Sequence, residues 1–197
     1  MESDPAQVGG ALGVHWYAGC PTAGKSTLAL RHLADDIRAN GCPALIIDAQ
    51  RVWNFKEVPH VSNVHDAIVA LYQDHRHVAI SIDDPEQMDR LAKGLRCGKD
   101  INILIDEARY WLSAHQISRE LSLLMRTSHQ HSRCIIRCTT QRLEDIHQDA
   151  LACTNEMYVF RCTSPRTLER LEREFGIDIS KVKSLERGQF ISWKAGF

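Results

Sequence analysis

The stretch that decides the fold is His15-Trp16-Tyr17-Ala18-Gly19-Cys20-Pro21-Thr22-Ala23-Gly24-Lys25-Ser26-Thr27. Its first residues, HWYAG, form a short apolar run, a strand ending in a glycine turn. Residues 19 to 26 match GxxxxGK[ST] at every defined position. The pattern is diagnostic only between a strand and a helix. The helix follows: Leu28, Leu30, Leu33 and Ile37 recur at near-helical spacing over Lys25–Asn40, and Gly41 with Pro43 stops it. Such a loop grips phosphate because its N–H groups and the helix N-terminus all point at anionic oxygens. Gly19 and Gly24 remove the Cβ atoms that would block a close wrap. Cys20, Pro21, Thr22 and Ala23 complete the cradle, with Thr27 just beyond it. Lys25 brings a mobile cation to the β- and γ-phosphates of ATP. Ser26 offers a hydroxyl to Mg²⁺.

Further along, Ile103-Leu104-Ile105-Asp106-Glu107 is an apolar strand ending in two acids. Alone it is equally well an ordinary strand end with a capping aspartate. After a phosphate loop it points to Asp106 as an Mg²⁺ ligand, through water, and to Glu107 as general base. The next strand ends in Cys138-Thr139-Thr140-Gln141-Arg142. Gln141 at such a tip lies between phosphate and attacking water, the place where open parallel sheets put their chemistry. An acid pair and a glutamine suit transfer to water better than transfer to a small-molecule acceptor.

The remainder alternates short apolar runs with amphipathic stretches, the α/β pattern. Strands are expected at Ala44–Asp48, His77–Ile82, Ile101–Asp106, Cys134–Thr139, Glu156–Cys162 and Gln189–Trp193. Helices are expected at Val64–Gln73, Asp84–Leu95, Ser113–Thr127, Leu143–Leu151 and Ser164–Phe175. The fold class is therefore α/β: a P-loop NTPase core of the RecA-like type, with a mainly parallel central sheet flanked by helices. The chain of 197 residues reads as one such domain, with residues 1–12 as a flexible N-terminus.

Composition narrows the function classes. Hydrophobic residues are 44% and charged residues 25%, which excludes overall disorder and coiled coil. A formal net charge of -1 excludes a general basic coat for nucleic acid, though not a local patch. No apolar run is long enough to span a membrane, and the first residues carry no secretory pattern. The seven cysteines include no CxxC pair and read as reduced thiols. His129, His131 and Cys134 lack zinc-ligand spacing.

Three segments together carry a resemblance: GCPTAGKS, ILIDEA and IIRCTTQRLEDIHQDAL. The continuations MYVFRCTSPRTLERLEREFG and SLERGQFISW fit it too. The chain resembles the FtsK/HerA-type branch of P-loop ATPases from about residue 14 to residue 193. Among compact members it is similar to the genome-packaging ATPases of tailless icosahedral viruses with an internal membrane. The resemblance implies an ATPase driving double-stranded DNA, without sequence preference, into a capsid. It also implies a ring, commonly a hexamer, and capsid or membrane proteins at the packaging vertex. The location would be that vertex of the virion or the host cytoplasm. A neighbouring subunit is expected to supply an arginine finger. Related sequences carry Arg-His before the T-Q-R strand, whereas this chain has Gln130-His131 there. Arg126, Arg133 and Arg142 are the candidates, Arg126 first because its helix leads toward the site. For DNA contact the loops Gln50–Lys56 and Leu91–Lys99 are preferred to the evenly charged C-terminal helix. Rival readings are a nucleotide or small-molecule kinase on the same core, and a nucleotide-gated assembly or secretion factor.

Overall fold

In the computed structural model, residues 12–48, 58–115 and 117–196 are described. The proposed flexible N-terminus (apart from residue 12) and the loop Gln50–Lys56 lie outside or almost wholly outside these residues. Eight strands among them form one sheet: β1 (Gly13–Ala18), β2 (Ala44–Asp48), β3 (His60–Val61), β4 (Val78–Ile80), β5 (Asn102–Asp106), β6 (Ile135–Thr140), β7 (Thr154–Phe160) and β8 (Phe190–Lys194). Their spatial order is β3-β4-β2-β5-β6-β1-β7-β8. Every pairing is parallel except β7 with β8. A parallel sheet is covered on both faces, so its strands are apolar throughout rather than alternating. All six residues of β1 and all five of β2 and β5 are buried accordingly.

Among the described residues seven helices cover the sheet: α1 (Lys25–Asn40), α2 (Val64–Tyr72), α3 (Pro85–Cys97), α4 (Arg119–Thr127), α5 (Gln148–Leu151), α6 (Pro165–Phe175) and α7 (Ile179–Ser184). The two faces are unequal. One carries a large core joining Trp16, Ile47, Ile105 and Ile136 to apolar residues of α2 through α7. The other holds a smaller cluster in which Ala29 and Leu33 of α1 meet Tyr17, Ile46, Leu104 and Phe160. That face also buries a charge pair: Arg137 of β6 is ion-paired with Asp36 of α1, both nearly inaccessible.

Local chemistry explains most boundaries. Asp84 caps α3, its carboxylate accepting from the N–H of Glu86, with Pro85 at the first position. Ser164 caps α6 by accepting from the N–H of Thr167, and Gly176 ends that helix in the left-handed conformation. Other expectations need correction. The helix expected from Ser113 begins only at Arg119. Leu112 and Ile117 pair as a β-bridge, Ser113 bridges Ile146, and Ser118 accepts from the N–H of Leu121 to start α4. Leu143–Leu151 splits into a 3-10 turn over Leu143–Asp145 and the short α5. Leu91–Lys99 is largely not a loop: it belongs to α3 up to Cys97, and Leu91, Ala92 and Leu95 are buried in the core. The two-residue β3 and the six-residue α7 were not anticipated; both are too short to show a period.

Candidate functional site

The loop between β1 and α1 is held by the strands on either side. The N–H of Gly19 donates to the carbonyl of Thr140 at 3.3 Å, and that of Cys20 to the carbonyl of Arg161 at 2.9 Å. A Cβ on Gly19 would lie 2.7 Å from the Cβ of Phe160, so only glycine allows this approach. Gly24 caps α1 at φ 109°, where an L side chain is strained. No side chain caps this helix, and its first turn holds no acid. The unpaired N–H groups and positive end of a 16-residue helix are thus left for an anion from outside.

Lys25 is buried, and its Nζ donates to the carbonyl of Cys20 at 2.9 Å. Burial lowers its pKa; the carboxylates of Glu107 and Asp106 act in the opposite direction. Ser26, one residue on, places its Oγ 3.3 Å from Oδ1 of Asp106, to which it donates. The parallel register makes this meeting possible. β5 ends in Asp106 two strands away from β1, with β6 between them.

The intervening strand contributes a residue that the sequence did not single out. Thr139 donates its hydroxyl to Oδ1 of Asp106 at 2.7 Å and accepts from the N–H of Glu107 at 2.9 Å. It is fully buried and fixes both acids relative to β6. Its signal was its place just before the strand tip beside the acid pair. Glu107 itself has φ 49° and ψ 57°. A non-glycine residue held there stores about 1–3 kcal/mol of strain, a feature concentrated at functional sites. One of its carboxylate oxygens accepts from Nε2 of Gln141 at 2.6 Å. The other lies 3.7 Å from Nε of Arg109, a second residue that sequence reasoning missed.

Lys25, Ser26, Asp106, Glu107 and Gln141 thus lie together at one end of the sheet. A cleft of about 570 Å³ opens along the loop past Gly24, Ser26 and Thr27 toward Arg31, Arg187 and Phe190. A smaller pocket of about 300 Å³ lies beside Cys20, Pro21, Gln141 and Arg142. The open helix end and Lys25 suit a triphosphate. The hydroxyl of Ser26 and the carboxylate of Asp106 are hard oxygen donors that suit Mg²⁺.

The arginine candidates separate. Arg142 faces its own loop through the smaller pocket. Arg126 does not lead toward the site. Helix α4 connects the carboxyl end of β5 to the amino end of β6, so its last turn lies at the far end of the sheet. There Arg126 pairs with Asp149 at 2.7 Å, both side chains exposed. Arg133 pairs with Asp100 at 3.0 Å, also exposed.

No protein-family model matches the sequence, and no curated protein matches it. Solved structures do match. One is the genome packaging NTPase B204 from Sulfolobus turreted icosahedral virus 2 in complex with sulfate. Its TM-score is 0.78 and its identity 18%, over 93% of this chain and 91% of that one. The same NTPase with ATP-gammaS gives 0.77 and 19%, over 92% and 91%. The pCW3 conjugation coupling protein TcpA, in its monomer form with ATPgS, gives 0.64 and 14%; it covers 93% of this chain but 58% of TcpA. What this chain shares with these proteins is their fold, an eight-stranded, mostly parallel P-loop NTPase sheet flanked by helices.

Proposed function

We propose that the chain is an ATP-hydrolysing motor subunit that moves double-stranded DNA during genome packaging. The observation that carries this reading is the convergence of Glu107 and Gln141 on the loop bearing Lys25 and Ser26. The neighbours named above support the motor part. B204 is a genome packaging NTPase, and TcpA is a conjugation coupling protein.

In this reading the β- and γ-phosphates lie on the N–H groups of Gly19–Thr27, and Lys25 leaves the carbonyl of Cys20 to meet them. Ser26 and Asp106 would hold Mg²⁺, and the ion would supply charge neutralisation to the triphosphate. Glu107 accepts a proton from a water aligned with the γ-phosphorus. Water gains the phosphoryl group and ADP departs. Glu107 must first loosen its bond to Gln141, whose amide is then available to water or phosphate. Thr139 keeps Asp106 and Glu107 in register meanwhile. A neighbour in a ring, a hexamer by the family resemblance, supplies an arginine. Arg126 and Arg133 precede the amino end of β6, whereas their own phosphate loop follows the carboxyl end of β1, so either could serve another subunit. Arg126 is our choice and Arg133 the alternative; the exposed ion pair of each is worth only about 0–1 kcal/mol and is readily exchanged. Capsid or membrane proteins at the packaging vertex would be the docking partners. No helix among the described residues is long and apolar enough to cross a membrane.

The test is phosphate release from Mg·ATP with and without double-stranded DNA, on protein whose assembly mass is measured. DNA-stimulated release by a ring is the expected result. Release that ignores DNA, or a phosphorylated small-molecule product, would remove the motor reading.

A further inference from the structure

Glu107 and Gln141 stand on one flank of the phosphate loop, and the cleft opens on the other. Strand order separates the two. Moving outward from β1, β6 and then β5 lead to Gln141 and Glu107, while β7 and β8 lead the opposite way. A nucleotide whose terminal phosphate faces Glu107 must direct its nucleoside end away from the acids, toward β8. The larger cleft opens in that direction.

At its mouth stands Phe190, the first residue of β8. It is 39% exposed, one of three large apolar side chains so open among the described residues. It is held firmly all the same. Its ring lies 5.5 Å from that of buried Phe160 and 5.7 Å from that of Tyr158. The segment before it is tied to the phosphate loop, because the N–H of Gly188 donates to the carbonyl of Ala23 at 3.0 Å. Arg31 and Arg187 line the same cleft, and neither is engaged in an ion pair among the described residues. An exposed aromatic face at a fixed distance from a triphosphate cradle, flanked by arginines, is a stacking platform.

We propose that Phe190 stacks the nucleobase, that Arg187 and Arg31 flank the nucleoside and its inner phosphate, and that the site accepts adenine and guanine nearly alike. This rests on the loop being the triphosphate site. The lack of discrimination follows from the lining. Among the described residues it contains no carboxylate or amide side chain to read a base edge. Stacking alone is tolerant, because every base has a π-face.

Calorimetric titration with magnesium and non-hydrolysable analogues of ATP and GTP, and with inorganic tripolyphosphate, tests this on the full chain. Wild-type protein should bind the two analogues within about threefold of each other. Phe190→Ala should weaken both about tenfold or more and leave tripolyphosphate affinity unchanged. Phe190→Leu keeps the apolar contact without the ring and should behave like alanine, whereas Phe190→Tyr should restore binding. The proposal is overturned if Phe190→Leu binds nucleotides as wild type does, if it weakens tripolyphosphate equally, or if GTP binding is far weaker than ATP. Failure of the underlying reading looks different: tripolyphosphate would not bind wild-type protein, and Lys25→Ala would change nothing.

Discussion

Lys25 holds its charge in a place that disfavours it. Burial depresses its pKa while Glu107 and Asp106 only partly compensate, so the resting protein carries a cation poised for a polyanion. Between the depressed folded pKa and the ordinary value of 10.5, the unfolded chain binds more protons than the folded one. Stability therefore rises with pH in that alkaline window. Lys25→Met should abolish that rise and lift the denaturation midpoint of the ligand-free protein, while weakening triphosphate binding by about 100-fold or more. Thermal melts across pH, with a binding titration, check both halves. A lower midpoint at unchanged affinity would mean that Lys25 serves packing and not the phosphates. Glu107→Gln separates binding from chemistry. It should preserve nucleotide affinity and reduce phosphate release by about 10²–10⁴-fold. Thr139→Val, which removes the hydroxyl between the two acids, should lower turnover by a smaller factor with little change in affinity. Equal loss of affinity and turnover would place Thr139 in binding instead.

The elements were legible to the extent that their signals were local. Helix α1 could be read because one glycine opens it, another closes it, and its leucines recur with the right period. β5 could be read because a strand buried on both faces needs an unbroken apolar run. The late start of α4 was hidden, because a β-bridge between Leu112 and Ile117 is a tertiary choice that propensity does not encode. The roles of Thr139 and Arg109 were hidden for a related reason: each depends on which strand lies beside which. The docking of α1 was equally invisible. Arg137, inside the apolar strand expected at Cys134–Thr139, lies fully buried and paired to Asp36 of the helix that follows the phosphate loop. Removing one partner takes away a buried counter-charge of the other. Arg137→Met should cost about 3–5 kcal/mol by equilibrium denaturation, and the double variant with Asp36→Leu should recover part of it. A single variant with wild-type stability would show that the pair anchors nothing.

At the scale of the molecule, the sheet divides two tasks. The carboxyl ends of β1, β5 and β6 gather the phosphate loop, the acids and Gln141, while the amino end of β6 presents Arg126 and Arg133 on exposed surface. One chain thus offers a site at one end of the sheet and a loosely held cation at the other. Head-to-tail contact around a closed ring would bring the two together across every boundary. A subunit lacking Glu107 then still supplies Arg126 to its neighbour, and a subunit lacking Arg126 still has a complete acid pair. Glu107→Gln and Arg126→Ala should each be nearly inactive alone. Equal mixtures, allowed to exchange subunits, should regain activity at about a quarter of the sites, where an intact acid faces an intact arginine. The same mixture made with Arg133→Ala distinguishes the two exposed candidates. Recovery with Arg133→Ala and not with Arg126→Ala would move the finger to Arg133. If neither mixture exceeded the sum of its parts, each chain would have to complete its own site, and Arg142, already beside its own Cys20 and Gln141, would be the residue to replace next.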